Sequence, residues 1–268
     1  MTTQHFFLSA WSMNPVVWGV GVVATAWYAR KVGFDLRWRT ASFLTGVMVF
    51  ILALASPLDE LANGYLFSAH MLQHLLLLLI VPPLILLGLP FLTEVKEETS
   101  FGAKYLFFHP FIAWLMGVGA MWLWHYPSLC NASTQDPWVH RLQYISLLIM
   151  GALFWLPIFG GNLRHRLSPL IGMAYLFTAC MACTLLGVLI TFSPITVCSV
   201  YAHPVDRLGI LSLIRDGWGF TPGKDQQLGG LLMWVPACMI YLSFILGLLL
   251  RWFRQPQAHE IPASPAMR

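Results

Sequence analysis

The sequence predicts an all-α fold: a polytopic membrane helix bundle of seven transmembrane helices, N-terminus outside and C-terminus cytoplasmic. Three observations lead there. The chain of 268 residues is 58% hydrophobic, with only 10% Asp, Glu, Lys and Arg, too few charges to cover a soluble surface. Seven apolar runs are each long enough to cross roughly 30 Å of hydrocarbon. The basic residues between those runs fall mainly on one side.

The runs cover residues 13–29, 40–56, 67–89, 109–125, 141–159, 170–194 and 228–250. Residues 1–14 lack a basic segment and a small-residue cleavage site, so the first run is expected to stay in the membrane. The second ends at Ser56-Pro57, just ahead of Asp59 and Glu60. The third contains Pro82-Pro83, which should kink the helix and leave carbonyls for neighbours to satisfy. The fourth closes on Trp124-His125-Tyr126-Pro127, and His140 stands at the opening of the fifth. The sixth carries Cys180 and Cys183, and Asp225 opens the seventh. Many of the 12 Trp lie near run ends, where aromatic belts form. The tail after Arg254 holds Pro256, Pro262 and Pro265. The expected division is a transmembrane domain over 1–254 and a polar, disordered cytoplasmic tail over 255–268.

Charge orients the bundle. Arg30, Lys31, Arg37, Arg39, Lys96, Lys104, Arg164, Arg166, Arg251, Arg254 and Arg268 share one side; Arg141, Arg207, Arg215 and Lys224 share the other. By the positive-inside rule the richer side is cytoplasmic. The small net charge of +4 speaks to orientation in the bilayer and gives no reason to expect nucleic acid.

On that map His5, His70, His74, His125, His140 and His203 lie outside. His70 and His74, at i and i+4, share one face of an otherwise apolar helix, where a polar group without a partner is expensive. Imidazole is the commonest side-chain metal ligand. Met71 beside the pair and Met121 one turn before His125 add thioethers, and the two donor types together suit copper. These residues make the candidate metal set His70, His74, His125, His140 and Met71. Asp59, Tyr144 and Asp225 are candidate supporting groups: Tyr144 lies one turn below His140, and a carboxylate can orient a metal-bound imidazole. The plainer readings are a structural interfacial histidine for His5 and His203, and a helix-capping acid for Asp225. Cys180 and Cys183 fall mid-helix, where packing with Ala179 and Ala182 is the expected role. Cys130 and Cys198 both lie on the side where oxidation is permitted, but the sequence does not establish that they meet.

The chain resembles the caa3-type cytochrome c oxidase assembly factors, the CtaG family. The resemblance runs through Ser56-Pro57-Leu58-Asp59, His70-Met71-Leu72-Gln73-His74 and Pro82-Pro83-Leu84 with Gly88 and Pro90. It continues in Trp124-His125-Tyr126-Pro127, His140, Phe154-Trp155-Leu156-Pro157 and Asp225-Gln226-Gln227-Leu228-Gly229-Gly230. One position departs from it. The family's fifth span often carries a second histidine one turn after the first, and this chain has Tyr144 there. The resemblance implies a multi-pass protein of the bacterial inner membrane, without enzyme activity, that helps mature a haem-copper oxidase by handling copper. Its implied partners are cytochrome c oxidase subunits and a periplasmic copper chaperone. Two other classes fit the histidines: a haem-binding membrane cytochrome and a copper transporter. A Soret band would mark the first, and copper uptake into vesicles the second.

Overall fold

Proline opens most of the helices. Its missing N–H is no loss in a first turn, and its fixed φ suits that position. A computed structural model describes residues 3–33, 38–89, 109–159 and 166–254. Arg37, Lys96, Lys104, Arg164, Pro90 and the 255–268 tail lie outside the described residues. All regular structure among the described residues is helical.

The chain begins with α1 (Thr3–Ser9), α2 (Pro15–Lys31), α3 (Trp38–Ala55) and the short α4 (Pro57–Ala62). Then come α5 (Phe67–Gly88), α6 (Pro110–Trp124), α7 (Pro127–Gln135) and α8 (Pro137–Phe159). Last are α9 (Pro169–Phe192) and α10 (Pro222–Phe253). The seven apolar runs fall in α2, α3, α5, α6, α8, α9 and α10. Five of these helices, α3, α5, α8, α9 and α10, are long and apolar enough to cross a membrane; α6 is apolar but shorter. α8 starts at Pro137 and α10 at Pro222, each a turn or more before the apolar run. Proline, not hydropathy, sets those starts.

The most enclosed long helix is α5. It is α-helical to Leu75, widens into a π-turn over Leu76–Ile80, and resumes as α-helix from Val81 to Gly88. The π-turn lies immediately before Pro82-Pro83, where the prolines' missing donors disturb the ladder. Pro82 cannot bond the carbonyl four residues back, at Leu78, and Trp155 Nε1 donates to that oxygen at 3.3 Å. Further along, Ser42 Oγ donates to Leu84 O at 2.8 Å and Tyr28 OH to Gly88 O at 3.1 Å. Gly151 of α8 allows this approach, since a Cβ there would stand 2.7 Å from Leu78 O.

At one end of the bundle, α1, α4 and the segment around Leu213–Gly217 join α5 in a small apolar cap built on Phe6, Leu61, Tyr65, Leu66, Ile210 and Ile214. Cys130 and Cys198 form a disulfide at this end, with Cα atoms 5.8 Å apart. It ties α7 to the segment after α9. The other half of the bundle is packed by rings: Phe154, Trp155, Phe159, Tyr175, Tyr241 and Phe244 form one contiguous set.

Candidate functional site

The helical spacing of His70 and His74 places their rings 4.3 Å apart between centroids, both buried. Two more imidazoles reach them from other helices. His125, the residue that ends α6, stands edge-on to His74 at 5.2 Å. His140, in the first turn of α8, stacks 6.3 Å from His70. Three helices therefore deliver four imidazoles to one place. His5 and His203 are exposed, outside this group.

Carbonyls set two of the rings. Nδ1 of His125 meets the carbonyl of Met121, and Nδ1 of His140 meets Ser133 O at 3.0 Å. A carbonyl only accepts, so in each neutral ring Nδ1 carries the proton and Nε2 presents its lone pair. That of His125 faces Met71 Sδ at 3.0 Å. Backbone anchoring of this kind is how proteins aim imidazole ligands.

The other two rings are incompletely satisfied. His70 Nε2 meets the amide nitrogen of Gln143 at 3.4 Å, while His70 Nδ1 has no hydrogen-bond partner. Among the described residues neither nitrogen of His74 has a partner in full hydrogen-bond geometry, and the Gln143 side chain supplies only a weak hydrogen-bonding interaction to it. A neutral imidazole buried this way leaves one donor and one acceptor unmet, at a typical cost of about 1–3 kcal/mol each. Four of the six buried side-chain atoms without a partner among the described residues belong to His70, His74 and Gln143. The donor set fits a cation that accepts imidazole nitrogen. No three His, Cys, Asp or Glu groups among the described residues already stand close enough to hold one, so the rings must turn inward to bind.

A polar network flanks the cluster. Gln73 Nε2 donates to Ala53 O at 2.7 Å and to Asp59 Oδ1 at 2.8 Å. Tyr144 OH lies 2.9 Å from Gln73 Oε1 and 3.2 Å from Asp59 Oδ1. Tyr144 also packs edge-on to His140, 4.2 Å between centroids. Burial pushes the Asp59 carboxyl up to about 6, against the hydrogen bonds from Gln73 and Tyr144, with the charge of Glu60 adding to the rise.

Asp225 acts on the helix that carries the pair. Its carboxylate accepts from Phe67 N at 2.7 Å, Ser68 N at 3.0 Å and Ser68 Oγ at 2.6 Å. These are first-turn groups of α5, and Leu66, in the capping position, offers no side-chain bond of its own. Asp225 differs here from both sequence readings: Thr221 caps its own helix, and the three bonds of Asp225 go to Phe67 and Ser68 at the start of α5, not to an imidazole. Gly229 lets α10 come this near, because a Cβ there would lie 2.5 Å from the Phe67 ring and 3.1 Å from Met71.

The disulfide-tied segment closes the cluster. Tyr201 packs 5.8 Å from the His70 ring and donates to Ala62 O at 2.7 Å. Arg215 holds the same segment through Tyr201 O at 3.1 Å and Phe220 O at 2.6 Å. Tyr201, Ser68 and Gln143 escaped sequence reasoning. Gln143 had a signal, being a polar residue one turn after His140 in an apolar run; Tyr201 had none, since a loop brings it in.

The site and fold define an all-helical protein with several membrane-length apolar helices and a buried histidine cluster at one end. Its sequence belongs to the cytochrome c oxidase caa3 assembly factor family (Caa3_CtaG), whose profile matches residues 16–255. The chain is also similar to an uncharacterized Mycobacterium bovis protein, 23% identical over 92% of this chain and 40% of that protein. An uncharacterized Mycobacterium leprae protein is 21% identical over 90% of this chain and 38% of its own length. This chain thus spans about two-fifths of the curated relatives it matches. No solved structure matches it.

Proposed function

We propose that the chain is a seven-span bacterial inner-membrane protein that receives copper at its periplasmic face and hands it to cytochrome c oxidase during assembly. It has no catalytic turnover of its own. Copper is its cargo. His74, His70 and His125 take the ion, with Met71 as a soft neighbour and His140 at the outer edge.

One observation carries this reading: among the described residues His74 is buried with neither ring nitrogen in full hydrogen-bond geometry and only the Gln143 side chain near it, beside two other imidazoles from its own and a second helix. An apolar bundle gains nothing from such a group unless something binds it. Imidazole with thioether favours copper over harder ions, and a site whose rings must turn to close suits transfer by ligand exchange. Orientation is supported twice. On the sequence map eleven of the 15 basic residues flank the run ends opposite the histidines, and the disulfide lies at the histidine end, in keeping with an oxidising compartment. Oxidase subunits downstream and a periplasmic copper chaperone upstream are the partners this implies.

The rival classes find less support. A bis-imidazole haem needs two imidazoles facing one another across its plane, whereas His74 and His125 meet edge to face at 5.2 Å. Transmembrane passage would have to cross the ring set around Trp155 and Tyr241.

The test is His70→Ala combined with His74→Ala. The variant should insert normally, lose imidazole-bound copper on purification, and lower oxidase activity in copper-limited cells. Full copper loading and normal oxidase activity in that variant would defeat the reading.

A further inference from the structure

Soft donors continue inward from the histidine cluster. Met121, buried one helical turn from His125, stands with its sulfur 3.5 Å from Cys183 Sγ of α9. Cys183 also donates to Met233 O at 3.1 Å. One turn deeper along α9, Cys180 Sγ meets Cys238 Sγ of α10 at 2.8 Å, with Thr184 Oγ1 3.0 Å from Cys238. All three cysteines are free thiols. The spacing of Cys180 and Cys183 suggests packing with small residues, and Ala179 beside them is indeed buried. The fold adds a partner the spacing could not. α9 and α10 approach closely at Gly187 and Gly230, where a Cβ on Gly187 would stand 2.8 Å from Gly230 O, and Cys238 is thereby brought against Cys180.

A thiol is a weak hydrogen-bond donor, so two thiols turned on each other in an apolar interface gain little as packing alone. Thiolate and thioether are the donors that select Cu(I). Resting on the copper reading above, we propose that Cys180 and Cys238, with Cys183 beside them, form a second, deeper Cu(I) site, loaded from the histidine cluster past Met71 and Met121. The sulfurs part to admit the ion. One thiol gives up its proton to an imidazole that the departing ion has vacated, which releases it to solvent when a second ion binds there, and the other ligates as a neutral sulfur. The bound group then carries no net charge, as an apolar interior favours. No change of oxidation state is needed. Tyr241 follows Cys238 by one turn and packs with Phe154 and Trp155, so the site ends at rings and the ion leaves as it came. It is a holding site, not a step in a channel.

The test is an anaerobic Cu(I) titration of the purified full chain in detergent against a competing chelator, with copper X-ray absorption on the loaded protein. The unmodified chain should bind two Cu(I) and show copper–thiolate scattering. Cys180→Ser with Cys238→Ser should lose one copper and that scattering, while keeping the imidazole-bound ion. A variant that keeps both, or a saturated unmodified chain without copper–thiolate scattering, overturns the proposal; the second measurement stands even where the variant fails to fold. The two readings fail separately. Absence of nitrogen scattering alone counts against the histidines, and absence of copper–thiolate scattering alone against the cysteines.

Discussion

The two halves of the bundle bury polar atoms in different ways. In the aromatic half, Trp155 Nε1 is matched to Leu78 O and Tyr175 OH to Phe154 O at 2.8 Å. Each of those donors meets a carbonyl near a proline-disturbed turn, of α5 or α8. In the histidine half, two supporting groups are just as well matched: Asp225 has three donors and Gln73 Nε2 two acceptors. Two of the imidazoles, His70 and His74, are not. The contrast marks where the proposed site stands apart from its scaffold, since on that reading the under-satisfied ring of His74 is the one kept for a ligand.

Removing the framework on the histidine side should break this contrast most strongly. Asp225→Ala strips the acceptor from two backbone N–H groups and a hydroxyl, for a loss of about 2–4 kcal/mol. Thermal unfolding in detergent would record it, and copper affinity should fall as the pair loses its fixed setting. Unchanged affinity would mean that α5 needs no clamp.

The aromatic half offers the converse. Trp155→Phe keeps a ring in the stack but leaves Leu78 O without its donor, for a loss of about 1–2 kcal/mol. Stability should drop while copper binding stays the same. A fall in copper binding would show that the π-turn transmits to the histidines.

The smallest effect concerns pH. The folded-state pKa of Asp59 is about 6 against an ordinary 3.8, so folding disfavours its ionised form. The stability this group contributes is fully present below pH 3.8 and is lost as pH rises through about 6. Asp59→Asn should flatten that part of the stability profile, read as the difference between wild type and variant from about pH 4 to 7.

Much of this was legible in sequence, for identifiable reasons. Apolar length located seven of the ten described helices, missing α1, α4 and α7, and the i, i+4 rule put His70 beside His74, because both depend only on local geometry. The paired prolines announced carbonyls in need of donors, though not that Trp155 would supply one. What stayed hidden was long-range. Asp225 meets Phe67 across 158 positions, and Cys180 meets Cys238 across 58; no local period encodes such meetings. Helix starts differ from the apolar limits where a proline precedes the run, as at Pro137 and Pro222.

Biosynthesis meets the Asp225 contact in reverse order. That carboxylate is translated long after the helix it holds, so the amides of Phe67 and Ser68 wait for it until the final helix is in place. On the proposed copper reading, a nascent chain is therefore a poor chelator, and competence arrives only when insertion is finished.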